Sequence, residues 1–459
     1  MGKCNKKYAD FLAKKTQIGG NSGFDPVWVP DFLFGFQKEL VEWAVLKGRA
    51  AIFADCGLGK TPMQLVWAEN VVRKTNGRVL ILTPLAVAFQ TENEAEKFGI
   101  EATHRRDGLQ EEDRIVIANY ERLHYFDSAD FDGVVCDESS ILKNFDGATR
   151  KAITEFMLAC KYRLLCTATA APNDYMELGT SSEALGVMEY KHMLSRFFTH
   201  SGDDTSKWRL KGHARTHLFW RWMCSWARAV RQPSDMGFAN KGFALPPRVV
   251  NRHVVAGSVV EQGHFMPSSA VGLSMQRADL KNTLVQRCEK AASLVNEHTK
   301  PAIAWCNLNA EGDLLTSMID GAQQVAGANT EEHKERVFRG FIDGSVRVLV
   351  TKPRIGGFGL NMQHCAHQTY FPSHSYEQYY QSVRRCWRFG QKNEVVVDMI
   401  TTEGQADVVA NLKRKELQAS IMFDMLMREM HNELAAPKHV RKQNTTQMPA
   451  WTQRSHDVG

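Results

Sequence analysis

Short apolar, β-branched runs alternate with amphipathic stretches along most of this chain, and they do so in two series, the pattern of parallel α/β units. The first series predicts strands at Arg49–Ala54 (RAAIFA), Arg78–Thr83, Arg114–Asn119, Phe131–Asp137 and Tyr162–Thr167. The second predicts them at Pro301–Cys306, Arg347–Thr351, Gln368–Phe371 and Glu394–Ile400. Met63, Val66, Trp67, Asn70 and Val71 fall at helical spacing directly after the first strand. Between the two series the texture changes. Residues 191–231 are rich in Trp, His and Arg, and Leu218, Trp222, Trp226 and Val230 predict one apolar helix stripe with His217, Arg221, Arg228 and Arg231 opposite it. That face reads either as a cationic surface for nucleic-acid phosphates or as the solvated side of helices covering the first α/β half. The segments are then 1–33 (N-terminal), 34–185 (first α/β lobe), 186–250 (helical insertion), 251–278 (linker), 279–430 (second lobe) and 431–459 (a loose basic tail).

The 459 residues are 43% hydrophobic and 24% charged, an ordinary globular make-up sized for two or three domains. A net charge of +6 leans toward an acidic partner without demanding one. The ten cysteines stand singly, with no zinc spacing, and read as reduced buried thiols. The N-terminus lacks an apolar signal core, and no apolar run reaches the roughly 18 residues that cross a membrane. The expectation is a cytoplasmic protein, neither secreted nor membrane-spanning.

The stretch "ADCGLGKT" (Ala54–Thr61) almost fits the phosphate-loop pattern G-x-x-x-x-G-K-[ST], with Ala54 in place of the first glycine. A strand, a loop carrying Gly57 and Gly59, and a helix opening at Lys60 and Thr61 form the context in which backbone N–H groups hold anionic oxygens. Lys60 then reaches the terminal phosphates and Thr61 ligates the metal. Glycine turns before helices are also common in any α/β protein. "GVVCDESS" supplies Asp137 to hold Mg²⁺ and Glu138 to orient or deprotonate a water, although acidic pairs at strand ends also simply start helices.

Taken in order, "FGFQKELVEWAVLKGRAAIFADCGLGKT", "LILTPLAVAFQ", "IVIANYERL", "DGVVCDESSILKN", "RLLCTATAAPND", "AIAWCNLNAEGDLL", "VLVTKPRIGGFGLNMQHC" and "YEQYYQSVRRCWRFGQ" resemble the successive motifs of superfamily-two helicases. The likeness is to Swi/Snf-type DNA translocases and their compact phage-encoded relatives, and it runs from Phe34 to Ile400. It implies two RecA-like phosphate-loop lobes with parallel sheets, nucleotide in the cleft between them, and ATP with Mg²⁺ as cofactors. Gln37 would read the adenine edge. Thr83, Pro84, Asn119, Tyr120, Asn307, Thr351 and Asn361 would lie along DNA. Thr167, Ala168 and Thr169 would couple hydrolysis to lobe movement.

Gly357, Gly359, Leu360 and Asn361 match the motif that closes over nucleotide and backbone. Gln381, Arg385 and Arg388 match the final motif, whose two arginines reach the γ-phosphate. Ala54 agrees with the likeness, since such relatives often omit that glycine. One departure is Ser139–Ser140, where the named box subgroups carry Ala and then Asp or His; Ser140 can hydrogen-bond toward Gln381 or the Thr167 segment but carries no charge. The implied protein is an ATP-dependent motor translocating on double-stranded DNA, with replication or recombination proteins as partners. Three alternatives stay open: a strand-separating helicase, a helicase-like protein acting on RNA, and a nucleotide-gated clamp without turnover. The clamp should have lost Lys60, Glu138 or a final-motif arginine, and none is lost.

Overall fold

The computed structural model describes residues 20–85, 87–143, 147–171, 173–201, 204–212, 217–256, 273–357 and 360–435. In chain order its strands are β1 Arg49–Ala54, β2 Val79–Thr83, β3 Ala102–His104, β4 Ile115–Asn119, β5 Gly133–Asp137, β6 Tyr162–Cys166, β7 Phe198–Ser201 and β8 Asp204–Leu210. There follow β9 Ala227–Val230, β10 Arg248–Val255, β11 Ala302–Trp305, β12 Ala322–Val325, β13 Val348–Thr351, β14 His367–Tyr370 and β15 Val395–Thr402. Seven of them form one sheet in the order β3-β4-β2-β5-β6-β1-β9, and six form a second in the order β10-β15-β14-β11-β13-β12. Every neighbouring pair in both sheets is parallel. The α/β class with two parallel-sheet lobes therefore stands.

The apolar runs are strands because both faces of each sheet are covered. Along β1, Ala51 and Phe53 enter one core and Ala50, Ile52 and Ala54 the other; Leu80 and Leu82 against Val79 and Ile81 repeat this in β2. In the second lobe Ile303 and Trp305 face one core while Ala302 and Ala304 face the other. The parallel order β5-β6-β1 places the C-terminal ends of these strands side by side, the edge where open parallel sheets bind ligands.

Between residues 186 and 250 the structure departs from a helical insertion. The helix holding Trp222 stops at Cys224, and Ala227–Val230 is β9, paired with β1 from Ala51 to Ala54. Helices Tyr190–Phe197 and Phe219–Cys224 flank the antiparallel hairpin β7–β8. The strand wins over the helix because the free edge of β1 offers ladder partners while Trp220, Trp222 and Trp226 stay buried on the first-lobe core. Three of the four residues of the expected cationic face are engaged within the protein, while Arg221 stays exposed. Arg228 is buried with its guanidinium donating to the Cys224 carbonyl at 2.7 Å, Arg231 pairs with Asp424 at 2.6 Å, and His217 with Glu429 at 2.8 Å. This favours the covering role over a nucleic-acid surface for these three. The expected linker begins later than residue 251, since β10 runs to Val255 beside β15. The remainder to residue 272, and the tail from 436, lie outside the described residues.

The helix Ala406–Ala435 crosses between lobes. Val409 and Leu412 pack in the second-lobe core, whereas Met422, Phe423, Leu426, Met427 and Met430 complete the first-lobe core around Trp220 and Trp222. A lobe boundary at 430 thus cuts through a strap held by both halves. Among the described residues no helix is long and apolar enough to cross a membrane.

Besides its ladder with β15, β10 is tied to its sheet by one carboxylate. Asp398 accepts from His253 Nε2 at 2.8 Å and Asn251 Nδ2 at 3.0 Å, and from His367 Nε2 at 2.8 Å. Burial alone would raise its pKa, but these donors hold it well below the carboxylate range. A folded-state value below the unfolded one gives stability that is fully present above about pH 4 and is lost progressively as the pH falls from there toward the much lower folded-state value, on the order of 2–3 kcal/mol. Denaturant titrations at pH 7 and pH 3 should therefore show the wild type losing more than Asp398→Asn.

Candidate functional site

Beyond β1 the loop Asp55–Gly59 leads into the helix Lys60–Thr75. Gly57 (φ 87°) and Gly59 (φ 73°) adopt the left-handed region. A Cβ would stand 2.7 Å from the Phe389 nitrogen at Gly57, which therefore requires glycine twice over, and 2.3 Å from the Gln37 amide at Gly59, where the left-handed φ is the main requirement. Ala54 needs no such freedom: it is the last ladder residue of β1, and its carbonyl accepts from Lys60 Nζ at 3.1 Å. Gln37 is buried, donates from Nε2 to the Leu58 carbonyl at 2.8 Å and accepts at Oε1 from the Phe34 N–H at 2.9 Å. Its amide braces the loop from below.

Asp137 ends β5, and Glu138 follows in the left-handed region at φ 50°, a strained place for a side chain that long. Gln64, one turn beyond Lys60, donates to Asp137 Oδ1 at 2.6 Å. Burial first, then the Glu138 charge, push the Asp137 carboxyl up to about 6, against the pull of Gln64 and Lys60. Thr167 Oγ1 donates to Glu138 Oε2 at 3.3 Å and accepts from the Thr169 N–H at 3.1 Å, which ties the segment through buried Ala168 to the carboxylate. Ser140 turns back to the Glu138 carbonyl at 3.5 Å, and is not bonded to Gln381 or Thr167.

From the second lobe the helix Tyr376–Cys386 brings Arg385, and the turn after it Arg388. Both donate to the Leu360 carbonyl, at 3.2 and 3.4 Å, and both face a cavity of about 580 Å³. Burial and the neighbouring Arg385 charge bring Arg388 down to about 10, still cationic at neutral pH. Gln37, Lys60, Thr61, Asp137 and Glu138 line the same cavity from the first lobe. Asn361, expected along nucleic acid, opens here instead, with Oδ1 buried and without a partner. Gln381 is buried with both amide atoms unpartnered and lines neither this cavity nor the next. Gly359 lies outside the described residues. Left-handed glycines before a helix, a lysine and a hydroxyl offer an anion site, and the adjoining carboxylates offer a place for a hard cation.

A second cavity of about 740 Å³ lies between the lobes, lined by Pro84, Asn119 and Tyr120 from the first and by Lys334, Arg339 and Arg354 from the second. Glu138 borders both cavities. Three expected contacts are otherwise engaged. Tyr120 is buried with its hydroxyl donating to the Asp137 carbonyl, and the Thr351 hydroxyl donates to Val325 at 2.8 Å within the sheet. Asn307 donates to the Phe371 carbonyl at 2.9 Å, its loop fixed by Glu311, which is paired with buried Arg287. Thr83 is fully buried with its hydroxyl unpartnered.

Sequence reasoning passed over Gln64, whose place one helical turn after Lys60 was the available signal, and Arg384. Arg384 is buried and bonds Asp55 Oδ2 at 2.7 Å and the Cys56 carbonyl at 2.9 Å across the cleft. Burial is the largest influence and opposes its charge, but Asp55, Tyr380 and Cys56 together outweigh it and hold the guanidinium above its ordinary value.

No protein-family model matches the chain, and no curated protein does. Among solved structures it is similar to the Sulfolobus solfataricus SWI2/SNF2 ATPase core in complex with double-stranded DNA, at 16% identity and a TM-score of 0.41, covering 91% of this chain and 97% of that one.

Proposed function

We propose that this protein is an ATP-dependent motor that moves on double-stranded DNA. One observation carries the reading: Lys60, Thr61, Asp137 and Glu138 of one lobe and Arg385 and Arg388 of the other meet around a single cavity. ATP with Mg²⁺ fits this donor set. The two left-handed glycines set the loop's course into the helix at Lys60, and Asn361 Oδ1 is buried without a donor. Thr61 and Asp137 would hold that ion, whose chemistry is to neutralise phosphate charge.

In this reading Lys60 and the loop N–H groups fix the phosphate chain. Glu138, held by Thr167, orients the attacking water, and the two arginines oppose the charge that develops on the transferred group. Because the charges come from both lobes, the site is complete only when the cleft is closed. The second cavity then offers Arg122, Lys334 and Arg354 to a phosphate backbone, with Arg106 and Arg339 paired to Glu331 and Glu335 on the same wall, and Glu138 touches both compartments. Alternate closing and opening would carry the lobes along one strand. The order of the motifs extends the proposal to a compact phage-type motor serving replication, recombination or DNA remodelling.

Purified protein is expected to hydrolyse ATP several-fold faster with duplex DNA than with single strands, and to displace a third strand from a triplex without unwinding the duplex. Stimulation by single strands alone, with unwinding, would move the assignment to a strand-separating helicase.

A further inference from the structure

The phosphate-type loop is gripped by the second lobe from behind, through contacts that the two cavity arginines do not make. Asp55 is the centre of this grip. Its Oδ2 accepts from Arg384 at 2.7 Å, and its Oδ1 accepts from the Tyr380 hydroxyl and from the Cys56 N–H at 2.6 Å. Arg384 continues to the Cys56 carbonyl and lies over the Trp387 ring at 4.8 Å, and Trp387 is itself bonded to the Pro246 carbonyl at 2.8 Å. On the other side the Asp55 N–H donates to the Val230 carbonyl of β9 at 2.9 Å. Asp55 and Cys56 are thus clamped between the edge of the first sheet and the end of the Tyr376–Cys386 helix. Gly57 meets the Phe389 backbone so closely that no side chain fits between them.

Consecutive helix residues point about 100° apart. Arg384 therefore faces the loop while Arg385, next to it, faces the cavity, and one rigid helix end sets both directions. We infer that Arg384, Tyr380 and Asp55 form an inter-lobe positioning clamp, which registers the loop against Arg385 and Arg388 so that the site assembles with both halves in place. This rests on the hydrolytic reading above and adds a regulatory element to it: any displacement of the second lobe is transmitted straight to the loop. A pair serving only to glue the lobes would stabilise the protein without sensing which step of turnover is slowed.

The test measures ATP turnover, nucleotide affinity and melting temperature for Arg384→Ala, Arg384→Lys, Tyr380→Phe, Asp55→Asn and the Asp55→Asn/Arg384→Ala double variant. The clamp predicts that kcat falls about tenfold or more in Arg384→Ala and Asp55→Asn, with KM for ATP changed less than kcat. It also predicts that the double variant is no worse than the worse single one, the non-additivity of residues acting as one unit. Arg384→Lys should recover part of the kcat loss, because the charge remains while the two-pronged contact does not. Independent multiplication of the two losses, or kcat values that merely follow melting temperature, would overturn the clamp. An active wild type with unaltered variants overturns this inference alone, whereas a wild type without ATPase activity removes the functional proposal and the clamp with it.

Discussion

Glu138→Gln protein is expected to bind ATP about as well as the wild type and to turn it over about a hundredfold to ten-thousandfold more slowly, the range that positioned acid–base groups contribute. The expectation follows from how Glu138 is held. Its backbone sits at φ 50°, a conformation that costs on the order of 1–3 kcal/mol and persists only where surrounding structure enforces it. One carboxylate oxygen accepts from Thr167, and the group borders both cavities. Glutamine keeps the shape and removes the basic oxygen, so binding survives while water activation does not. Lys60→Ala provides the contrast. The lysine has one hydrogen bond, to Ala54, and its removal leaves the loop standing but strips the charge facing a phosphate chain, so affinity itself should fall. Equilibrium binding of a fluorescent nucleotide beside steady-state turnover separates the two. Equal loss of binding in both variants would remove Glu138 from the water-orienting role.

The parts of this molecule legible in its sequence are those where local pattern and tertiary role coincide. β1, β2, β4, β5 and β6 are apolar runs because they are buried on both faces, and that burial is written directly into residues such as Ile52, Ile81 and Val135. The loop and the carboxylate pair were legible for a different reason: glycines at forced left-handed positions and acids at a strand end are chemical requirements with few sequence solutions. What stayed hidden depends on partners distant in the chain. β9, "ARAV", carries an arginine and adjoins a tryptophan stripe of helical spacing, and only the free edge of β1 turns it into a strand. β12, "AQQV", and β3, "ATH", are too short and polar to signal.

The same logic separates the site residues. Lys60 and Asp137 were placed by motif chemistry, but Tyr120, Thr351 and Asn307 donate to backbone carbonyls, of β5, of β12 and of the segment after β14, which only the assembled sheets bring within reach. Arg384 shows the limit most sharply. Of the neighbouring arginines in "RRCWR" the sequence favoured Arg385 and Arg388, and nothing in the spelling says that the remaining one turns toward Asp55.

Arg388→Ala should be the purest catalytic lesion in the second lobe, lowering kcat by about a thousandfold to a hundred-thousandfold with little change in melting temperature. Arg385 is a poorer probe, since it also bonds the Gln381 and Leu360 carbonyls and is buried, so its loss would disturb the helix end. Arg388 has one long bond, 3.4 Å to Leu360, and lines the cavity from a half-buried position. Its pKa is brought down by burial and by Arg385 beside it, which means that its charge is held at a cost until something negative arrives. An anion reaching Lys60 and Thr61 from the other wall would relieve that cost, and relief that grows as negative charge accumulates on the transferred group is what accelerates a reaction. Arg388→Lys should recover little, because an ammonium lacks the planar fork that meets two oxygens at once. Single-turnover rates with saturating ATP and duplex DNA decide the matter: a variant that retains wild-type chemistry at saturation would place Arg388 in binding alone.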